Sequence, residues 1–302
     1  MQNTKHEILL YYKYIEIENP EEFKNEHRKL CEDLGFTARI IISKEGINGT
    51  LEGLPEQTQK YIDIMHADPR FSDMHFKRSP GTGNAFPKLS IKVRDEIVSL
   101  HLDEDVDPRV MTGTYIQAEE LHELINSDEE FYIIDMRNEY EHKVGFFENS
   151  ILPSLKNFRD LPQLVEDFSH LKDKKVVTVC TGGVRCEKAS GFLVKHGFTN
   201  VYQLFGGIVT YMEKYPNENF KGKLYVFDGR VTMGLNVDSP EHVVVSTCDT
   251  CGAVSDQYID CAHIHCKGNR HFVCCLDCVK RLGGYCGEEC REKDMVKKMV
   301  IV

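Results

Sequence analysis

A stretch near the middle of the chain places a cysteine where a thiolate would be stabilised. Cys180 directly follows the apolar run 176–179 and precedes a loop that contains Gly182, Gly183 and Arg185. Because a helical pattern follows this loop, successive loop N–H groups and the helix dipole both favour an anion at the cysteine. The guanidinium adds a permanent positive charge, which lowers the pKa of a nearby thiol. We therefore predict a nucleophilic thiolate rather than an inert buried cysteine beside a turn.

Three further residues belong to the same predicted site. Asp135 stands at the end of another apolar run, residues 131–134, and Arg137 follows it two positions later. Ligand sites in parallel sheets lie at the carboxyl ends of strands, which is where Cys180 and Asp135 both stand. We expect Asp135 and Arg137 to form a supporting ion pair rather than to act on a substrate. Cys186 has two interpretations: it resolves an oxidised or persulfidated Cys180, or it only packs at the start of the helix.

The last third of the chain repeats cysteine pairs at the spacing of metal ligands. The four pairs, enough for two tetrahedral Zn²⁺ sites, are Cys248/Cys251, Cys261/Cys266, Cys275/Cys278 and Cys286/Cys290. In a cross-braced arrangement the first and third pairs share one ion and the second and fourth share the other, which leaves Cys274 over. His263, His265 or His271 could replace a thiolate, so the pairing stays open. The alternative is a set of reduced cysteines held by ordinary packing.

A basic stretch in the first third of the chain is a candidate phosphate-contacting surface. Five basic residues and no acidic residue lie between positions 76 and 94, and they are Lys77, Arg78, Lys88, Lys92 and Arg94. Clustered cations of this kind are the electrostatic footprint of RNA binding. The equally weighted alternative is a solvated edge strand that its charges keep from pairing with other chains.

The elements that must position these residues divide the chain into three regions. Residues 1–100 alternate strands and helices in the order βαββαβ, with a further strand over 88–93, which predicts an α+β domain of ferredoxin-like fold. Residues 101–113 are acidic and poor in large apolar side chains, and they predict a linker. Residues 114–216 alternate short apolar strands with helices, the pattern of an α/β domain with a parallel sheet. Residues 217–302 form the cysteine-rich C-terminal region.

Composition limits the classes of function. The chain has 302 residues with 37 basic and 48 acidic side chains, a formal net charge of −11. This balance argues against indiscriminate nucleic-acid binding, and DNA is not expected as a partner. The polar first residues MQNTKHE predict no secretory signal, and no apolar run approaches the length of a membrane span. Paired cysteines at metal-ligand spacing, rather than a disulfide framework, favour a reducing cytoplasmic setting.

The central region resembles a rhodanese domain. The resemblance rests on residues 134–141 (IDMRNEYE), the Cys180 loop and residues 204–208 (LFGGI). Two positions depart from the family pattern: Gly145-Phe146-Phe147 replaces the typical Gly-His-Ile, and Tyr211 stands where a tryptophan is usual. The loop has Cys-x4-Arg spacing, one residue shorter than the Cys-x5-Arg loop of cysteine phosphatases. The tighter ring of amides suits a sulfur anion better than a tetrahedral phosphate, so phosphatase activity is not expected.

Over nearly its whole length the chain resembles the rhodanese-like tRNA uridine hydroxylases. The distinctive segments are residues 43–50 (SKEGINGT), 180–188 (CTGGVRCEK) and 227–230 (FDGR), together with the cysteine array of 248–290. The resemblance implies conversion of uridine 34 of tRNA to 5-hydroxyuridine with O₂ as co-substrate. It does not identify the electron donor. A persulfide sulfurtransferase and a non-catalytic scaffold are the rival interpretations, and the intact Cys180 and Arg185 count against the scaffold.

A covalent route would connect the predicted thiolate with hydroxylation. Addition of Cys180, or of its persulfide, to uracil C6 would make an enolate with electron density at C5, where O₂ could attack. Arg185 and the loop amides would hold the sulfur anion before attack and after release. A base taken out of an RNA loop is commonly stacked on an aromatic ring. Tyr211, Phe227 or Phe86 could serve, although for each of them a place in the core is the favoured interpretation.

Overall fold

The first region of the chain is a five-stranded sheet with two helices on one face. The computed structural model describes residues 6–102, 106–263, 266 and 271–300, of which 295–300 are described by their backbone alone. The elements of this region are β1 (His6–Tyr14), α1 (Pro20–Asp33), β2 (Thr37–Ser43), β3 (Gly46–Gly53), α2 (Pro55–Ala67), β4 (Phe76–Gly81) and β5 (Leu89–Val93). The strand order is β4-β1-β3-β2-β5, and only β5 lies parallel to its neighbour β2. The predicted ferredoxin-like order is confirmed, with β5 added at the sheet edge.

Local signals define both helices of this region. The side chain of Asn19 accepts a hydrogen bond from the backbone N–H of Glu22 at 3.2 Å, and Pro20 occupies the first helical position. The Asn19 side chain pairs one backbone N–H that has no partner within the helix, and Pro20 fixes its φ near the helical value. The pair Asn19-Pro20 therefore predicts the helix start, and α1 begins there. The apolar spacing after Pro55 predicts a second helix over 55–67, and α2 has these bounds and also starts on its proline.

The two faces of the first sheet have different partners. Side chains alternate along each strand. One set, which includes Leu9, Ile40 and Leu51, packs with Tyr61 and the rest of the helices in a buried core. The alternate set, which includes Leu10, points away from the helices and towards the central region. The helices of the first region therefore cover one face of the sheet, and the central region packs against the other face.

The central region is a four-stranded parallel sheet covered by helices. Its elements are β6 (Thr114–Ile116), α3 (Ala118–Ile125), β7 (Tyr132–Asp135), α4 (Glu139–His142), β8 (Gly145–Phe147), α5 (Leu161–Leu164), β9 (Lys175–Val179), α6 (Val184–Lys195), β10 (Asn200–Leu204) and α7 (Gly207–Lys214), with 3₁₀ turns at Phe158–Asp160 and Val165–Leu171. The order β6-β10-β9-β7 is parallel throughout. Val176, Val177 and Val179 of β9 are fully buried, as expected for a strand covered on both faces. The predicted parallel sheet is confirmed.

The apolar pattern predicts that the helix after the cysteine loop begins near Cys186, but α6 begins two residues earlier, at Val184. Gly183 has a φ of +103° and serves as the residue before the first helical position. Glycine adopts this dihedral without the steric cost that a Cβ atom imposes. The backbone N–H of Cys186 donates to the carbonyl of Gly183 at 2.9 Å. Cys186 thus lies in the first turn of α6 rather than ahead of it.

The C-terminal region contains short hairpins and two helices. Its elements are β11 (Phe220–Gly222), β12 (Leu224–Tyr225), β13 (Thr232–Met233), β14 (Tyr258–Asp260), β15 (His271–Val273), α8 (Leu276–Leu282) and α9 (Glu288–Val300). β11 pairs with β8 of the central region, which joins the two regions. The cluster at the centre of the last part consists of cysteines around Phe272. Among the described residues, none of the helices has the length and hydropathy that crossing a bilayer requires.

Candidate active site

The cysteine loop lies directly against the free face of the first sheet. The sulfur of Cys180 accepts a hydrogen bond from the backbone N–H of Gly183 at 3.2 Å. A Cβ atom at Gly182 would stand 2.8 Å from a methyl carbon of Leu10, and one at Gly183 would stand 2.8 Å from the hydroxyl of Tyr12. Both distances are too short for packed atoms. The positive φ of Gly183 requires glycine there, and at both positions the absence of a Cβ atom allows the close approach of the first sheet.

The surroundings of Cys180 stabilise its thiolate. Burial alone would raise the pKa of Cys180, but the hydrogen bond with the Cys186 thiol, the charge of Arg185 and the backbone N–H groups of both residues outweigh burial and lower the pKa to about 6. Burial and the neighbouring sulfur of Cys180 raise the pKa of Cys186 well above its ordinary value. At neutral pH the negative charge of this pair is therefore on Cys180, and the proton is on Cys186.

The guanidinium of Arg185 influences the Cys180 sulfur by its positive charge at a distance. Its hydrogen bonds go to Glu141 and Thr181 and not to the sulfur. Its Nη1 and Nη2 atoms donate to the two carboxylate oxygens of Glu141 at 2.6 and 2.9 Å, and Nη2 also donates to the Thr181 hydroxyl at 3.2 Å. Glu141 comes from α4 and is fully buried. The guanidinium does not cradle the sulfur directly as we expected, because Glu141 offers it a bidentate carboxylate. Sequence reasoning missed Glu141, whose only signal was its place in the segment that resembles rhodanese.

Asp135 and Arg137 form a completely buried ion pair beside this site. Their closest N–O distance is 2.6 Å, and Arg137 also donates to the carbonyl of Gly145 at 2.8 Å. Burial alone would raise the pKa of Asp135, but Arg137 and His142 outweigh burial and hold that pKa well below its usual range. Neither residue lines the cavity described below. The pair connects the end of β7 to the start of β8 and so positions α4, which carries Glu141.

Two consecutive residues of α6, Glu187 and Lys188, form hydrogen bonds and ion pairs with the first region. The carboxylate of Glu187 accepts hydrogen bonds from the hydroxyls of Tyr12 and Tyr115, each at 2.8 Å. Lys188 is fully buried and forms ion pairs with Glu45 and Glu96 of the first region, each at 2.8 Å. Because α6 begins at the cysteine loop, these contacts set the distance between the loop and the sheet.

A cavity of about 380 Å³ lies between the first and central regions, and Cys180 is one of the residues that line it. This volume is in the range of sites that hold small organic ligands. The first region, the central region and the C-terminal region all contribute side chains. The cavity is lined by Leu10, Tyr12, Arg39, Ile41, Asn48, Thr50, Ile97, Val98, Ser99, Asn138, Asn157, Phe158, Arg159, Cys180, Thr181, Gly182, Val184, Arg185 and Phe227. The six residues from β1, β2 and β3 share the free sheet face, and sequence reasoning did not assign any of them to the site.

The structure brings together three of the five basic residues in the predicted RNA-binding stretch. Lys88, Lys92 and Arg94 are exposed and line a groove of about 290 Å³ together with Arg39. Arg39 also lines the Cys180 cavity, so the groove and the cavity adjoin. Positive charge therefore extends from the groove to the edge of the cavity that Cys180 lines.

The other two basic residues lie away from this groove. Lys77 is only 5% exposed, because it is enclosed between the first and central regions with its ammonium 5.2 Å from the ring centroid of Tyr12. Burial lowers the pKa of Lys77 to about 8. Arg78 points to the helical side of the sheet and forms an ion pair with Glu7 at 3.0 Å. Neither residue shares a continuous basic surface with Lys88, Lys92 and Arg94.

The three aromatic candidates for base stacking differ in access. Phe227 lines the cavity and is 43% exposed, with the guanidinium carbon of Arg185 5.7 Å from its ring centroid. Phe86 lines the basic groove, although most of its surface is buried. Tyr211 is fully buried in the core, where its hydroxyl contacts His122 and Asn219. Tyr211 is therefore a core residue, as the favoured interpretation had it, and it does not offer its ring to a base.

The eight paired cysteines form two groups of four. Within each group the sulfur atoms all lie within 4.8 Å of one another, and the groups are Cys248, Cys251, Cys275 and Cys278, and Cys261, Cys266, Cys286 and Cys290. These are the cross-braced sets that the spacing suggested. Cys274 is buried outside both groups. His263 contacts Asp294 and His271 contacts Asp260, while His265 lies outside the described residues.

A parallel sheet with a buried cysteine in a glycine–arginine loop at a strand end defines a rhodanese-like protein. Family models agree: a rhodanese-like domain matches residues 117–214, a UPF0176 acylphosphatase like domain matches 6–97, and a rhodanase C-terminal model matches 221–291. A tRNA uridine(34) hydroxylase of Cytophaga hutchinsonii is 43% identical over 95% of this chain and 90% of its own. One from Bacillus licheniformis is 43% identical over 95% and 89%. The chain belongs to the tRNA uridine(34) hydroxylase family.

One solved structure is similar to a part of this chain. A rhodanese-related protein from Thermoplasma volcanium is 30% identical over 34% of this chain and 93% of its own, with a TM-score of 0.28.

Proposed function

We propose that this protein is an enzyme that hydroxylates uridine 34 of tRNA at C5, with O₂ as co-substrate, and yields 5-hydroxyuridine. The observation that carries the proposal is the Cys180 sulfur, with its lowered pKa, in the wall of a cavity at the end of a basic groove. The relatives that bear this name match the chain along almost all of its length, including the first region and the C-terminal region that complete the cavity.

The geometry supports covalent catalysis by Cys180. Uracil C5 reacts poorly with O₂ until a nucleophile adds to C6 and makes an enolate. Cys180 is ionised at neutral pH, and the N–H of Gly183 and the charge of Arg185 stabilise its sulfur anion before addition and after release. Phe227 offers a partly exposed ring in the cavity wall on which a base taken out of the anticodon loop would stack.

Incubation of the purified protein with a tRNA transcript tests this function. In air-saturated buffer with excess dithiothreitol, mass spectrometry of the digested nucleosides should show 5-hydroxyuridine from a transcript with uridine 34. A matched transcript with cytidine 34 should yield none. Sulfur transfer from thiosulfate to cyanide is measured in parallel. Sulfur transfer without any 5-hydroxyuridine would instead assign the protein to the persulfide sulfurtransferases.

We propose that the groove of Arg39, Lys88, Lys92 and Arg94 binds the tRNA backbone. Each lysine or arginine that contacts a phosphate releases counterions and steepens the dependence of affinity on salt. Replacing Lys92 and Arg94 with alanine should therefore weaken tRNA binding and reduce the slope of log affinity against log salt by about two. The control variant replaces Lys29 and Lys60, which are exposed on α1 and α2. Equal effects of the two variants in a salt titration would show that the groove is not the binding surface.

We propose that each group of four cysteines binds one structural Zn²⁺. The resolved sulfur–sulfur distances of 3.5 to 3.7 Å fit the edge of a tetrahedron with Zn–S bonds of about 2.3 Å, which is about 3.8 Å. Apart from cysteines, Phe272 is the one fully buried apolar residue among the described residues of this cluster, so the apolar core of this part of the chain is small. Bonds from the cysteines to zinc would cross-link its segments. Free energy of metal binding would there replace the hydrophobic burial that a larger core supplies.

The purified protein should accordingly contain two zinc ions per chain. Cys278→Ala should reduce the zinc content by one and lower the stability of the C-terminal region, because the remaining three thiolates of its group cannot close a tetrahedral site. Cys274→Ala is the matched control, since Cys274 lies outside both groups, and it should retain two zinc ions. Elemental analysis with limited proteolysis measures both quantities. Folded wild-type protein without zinc would contradict the prediction.

We also propose a cytoplasmic location. None of the twelve cysteines forms a disulfide, and a reducing compartment favours both thiolate ligands and a reactive thiolate.

A further inference from the structure

Hydroxylation by O₂ requires two electrons whose source the family name does not identify. One oxygen atom enters the product and the other leaves as water, so each turnover consumes two electrons and two protons. The oxidation of two thiols to a disulfide supplies the same two electrons and two protons. A second thiol beside the reactive cysteine would therefore complete the reaction within the protein.

Cys186 is placed to be that second thiol. Cys180 and Cys186 are both fully buried and belong to one apolar cluster. The loop residue Gly183 contacts both of them: its N–H donates to the Cys180 sulfur at 3.2 Å, and its carbonyl accepts from the Cys186 N–H at 2.9 Å. The interaction between the two thiols moves their pKa values in opposite directions. Cys180 is among the residues that line the cavity, whereas Cys186 is not. Cys186 therefore lies behind the reactive sulfur, where it meets Cys180 and is shielded from the substrate.

No other cysteine competes for this role. Cys31 is in the core of the first sheet, and the remaining nine cysteines are in the C-terminal region, eight of them in the two groups of four. A redox partner for Cys180 within the chain is thus limited to Cys186.

We propose that Cys180 and Cys186 form a dithiol that supplies the two electrons of each hydroxylation, with Cys186 as the resolving thiol. This inference rests on the proposed function. After Cys180 has added to C6, the C5 carbon bonds to O₂, and protonation gives a C5 hydroperoxide. Loss of the C5 proton and departure of the Cys180 thiolate restore the C5–C6 double bond.

The thiolate then reduces the hydroperoxide that it helped to make. Its sulfur attacks the outer oxygen, the O–O bond breaks, and the inner oxygen stays on C5 and takes up a proton as the product hydroxyl. Cys180 becomes a sulfenic acid. The Cys186 thiol attacks the sulfenic sulfur, water leaves, and a Cys180–Cys186 disulfide remains. The sum is uridine, O₂ and two thiols giving 5-hydroxyuridine, water and one disulfide.

The different protonation of the two sulfurs suits these two roles. The low pKa of Cys180 provides the nucleophile, and the high pKa of Cys186 keeps a proton available for the water that leaves. Cys180 lines the cavity, and under this proposal a dithiol reductant that enters the cavity after the tRNA has departed restores both thiols.

A single-turnover experiment tests the inference on the full chain. Reduced protein is freed of reductant, mixed with an excess of tRNA in air-saturated buffer and quenched with N-ethylmaleimide. We expect one 5-hydroxyuridine per chain and an equal amount of Cys180–Cys186 disulfide by peptide mapping. Neither should form without O₂ or with the cytidine 34 transcript. With excess dithiothreitol the same protein should turn over repeatedly.

Variants identify the resolving residue. Cys186→Ser should still form one product per chain without reductant, but Cys180 should then be trapped by dimedone as the sulfenic acid. Cys31→Ala is the control and should form the disulfide as the wild type does. Wild-type product without oxidation of Cys180 would overturn the inference and leave the proposed function intact. No product even with dithiothreitol would instead overturn the proposed function.

Discussion

Replacing Cys180 with serine should abolish the formation of 5-hydroxyuridine, with a loss of at least about 10⁴-fold in turnover. A serine hydroxyl has nearly the shape of the thiol but is not ionised near neutral pH. The charge of Arg185 and the N–H of Gly183 then have no anion to stabilise. Mass spectrometry of tRNA nucleosides measures the loss, and tRNA binding by the variant should be unchanged because the basic groove is intact.

Hydrogen exchange separates the covalent route from other uses of Cys180. If the thiolate adds to C6, the enolate formed without O₂ takes up a deuteron at C5, and release of the sulfur returns labelled uridine. The wild-type protein should therefore catalyse exchange of the C5 hydrogen of uridine 34 in anaerobic D₂O, and Cys180→Ser should not. Exchange by the serine variant, or product formed by it, would remove Cys180 from the mechanism.

Replacing Arg185 with methionine should raise the pKa of Cys180 and destabilise the fold. Without the guanidinium the thiolate loses a nearby positive charge, while the carboxylate of Glu141 remains buried close to the site. Both changes favour the neutral thiol. The rate of iodoacetamide labelling at Cys180, read by peptide mass spectrometry, should be half-maximal near the pKa of about 6 in the wild type and at a more alkaline pH in the variant.

The unpaired carboxylate should also cost about 3–5 kcal/mol of the free energy of unfolding, as for other broken buried ion pairs. The double variant Glu141→Gln and Arg185→Met removes both charges. It should recover most of the stability in a denaturant titration, while the pKa of Cys180 stays above the wild-type value. A double variant as unstable as Arg185→Met would show that the ion pair is not what stabilises the site. An unshifted labelling profile would show that the guanidinium does not act on the sulfur.

Helix α2 and the cysteine loop show which features of the fold could be predicted. Pro55 starts the helix and its apolar residues repeat with the helical period, so the predicted bounds match the structure. The cysteine loop likewise follows from a short order of strand, glycines, arginine and helix. These signals are local, because each is created by residues that are neighbours along the chain. The start of α6 was placed two residues late because the apolar pattern did not show that Gly183 precedes the helix.

Lys77 shows where this kind of reasoning fails. In the sequence it belongs to a basic stretch with Lys88, Lys92 and Arg94, but the structure encloses it between two regions. Strand alternation places Lys77 on the free face of the first sheet, opposite Leu10. It does not indicate what covers that face. The burial of a side chain depends on its partner surface, which here comes from residues more than a hundred positions away.

From the sequence alone, the glycine–arginine loop after Cys180, the ferredoxin-like and parallel-sheet folds and the four cysteine pairs could be predicted, because periodicity, turn residues and ligand spacing are properties of short segments. Which cysteine pairs share a group was left open by the sequence and was decided by the structure. Only the tertiary structure decided that Glu141 holds Arg185, that Arg39 connects the basic groove to the cavity, and that Tyr12 stands over the cysteine loop. Each of these depends on packing between residues distant in the sequence, where shape and burial select the partners and no local pattern records the choice.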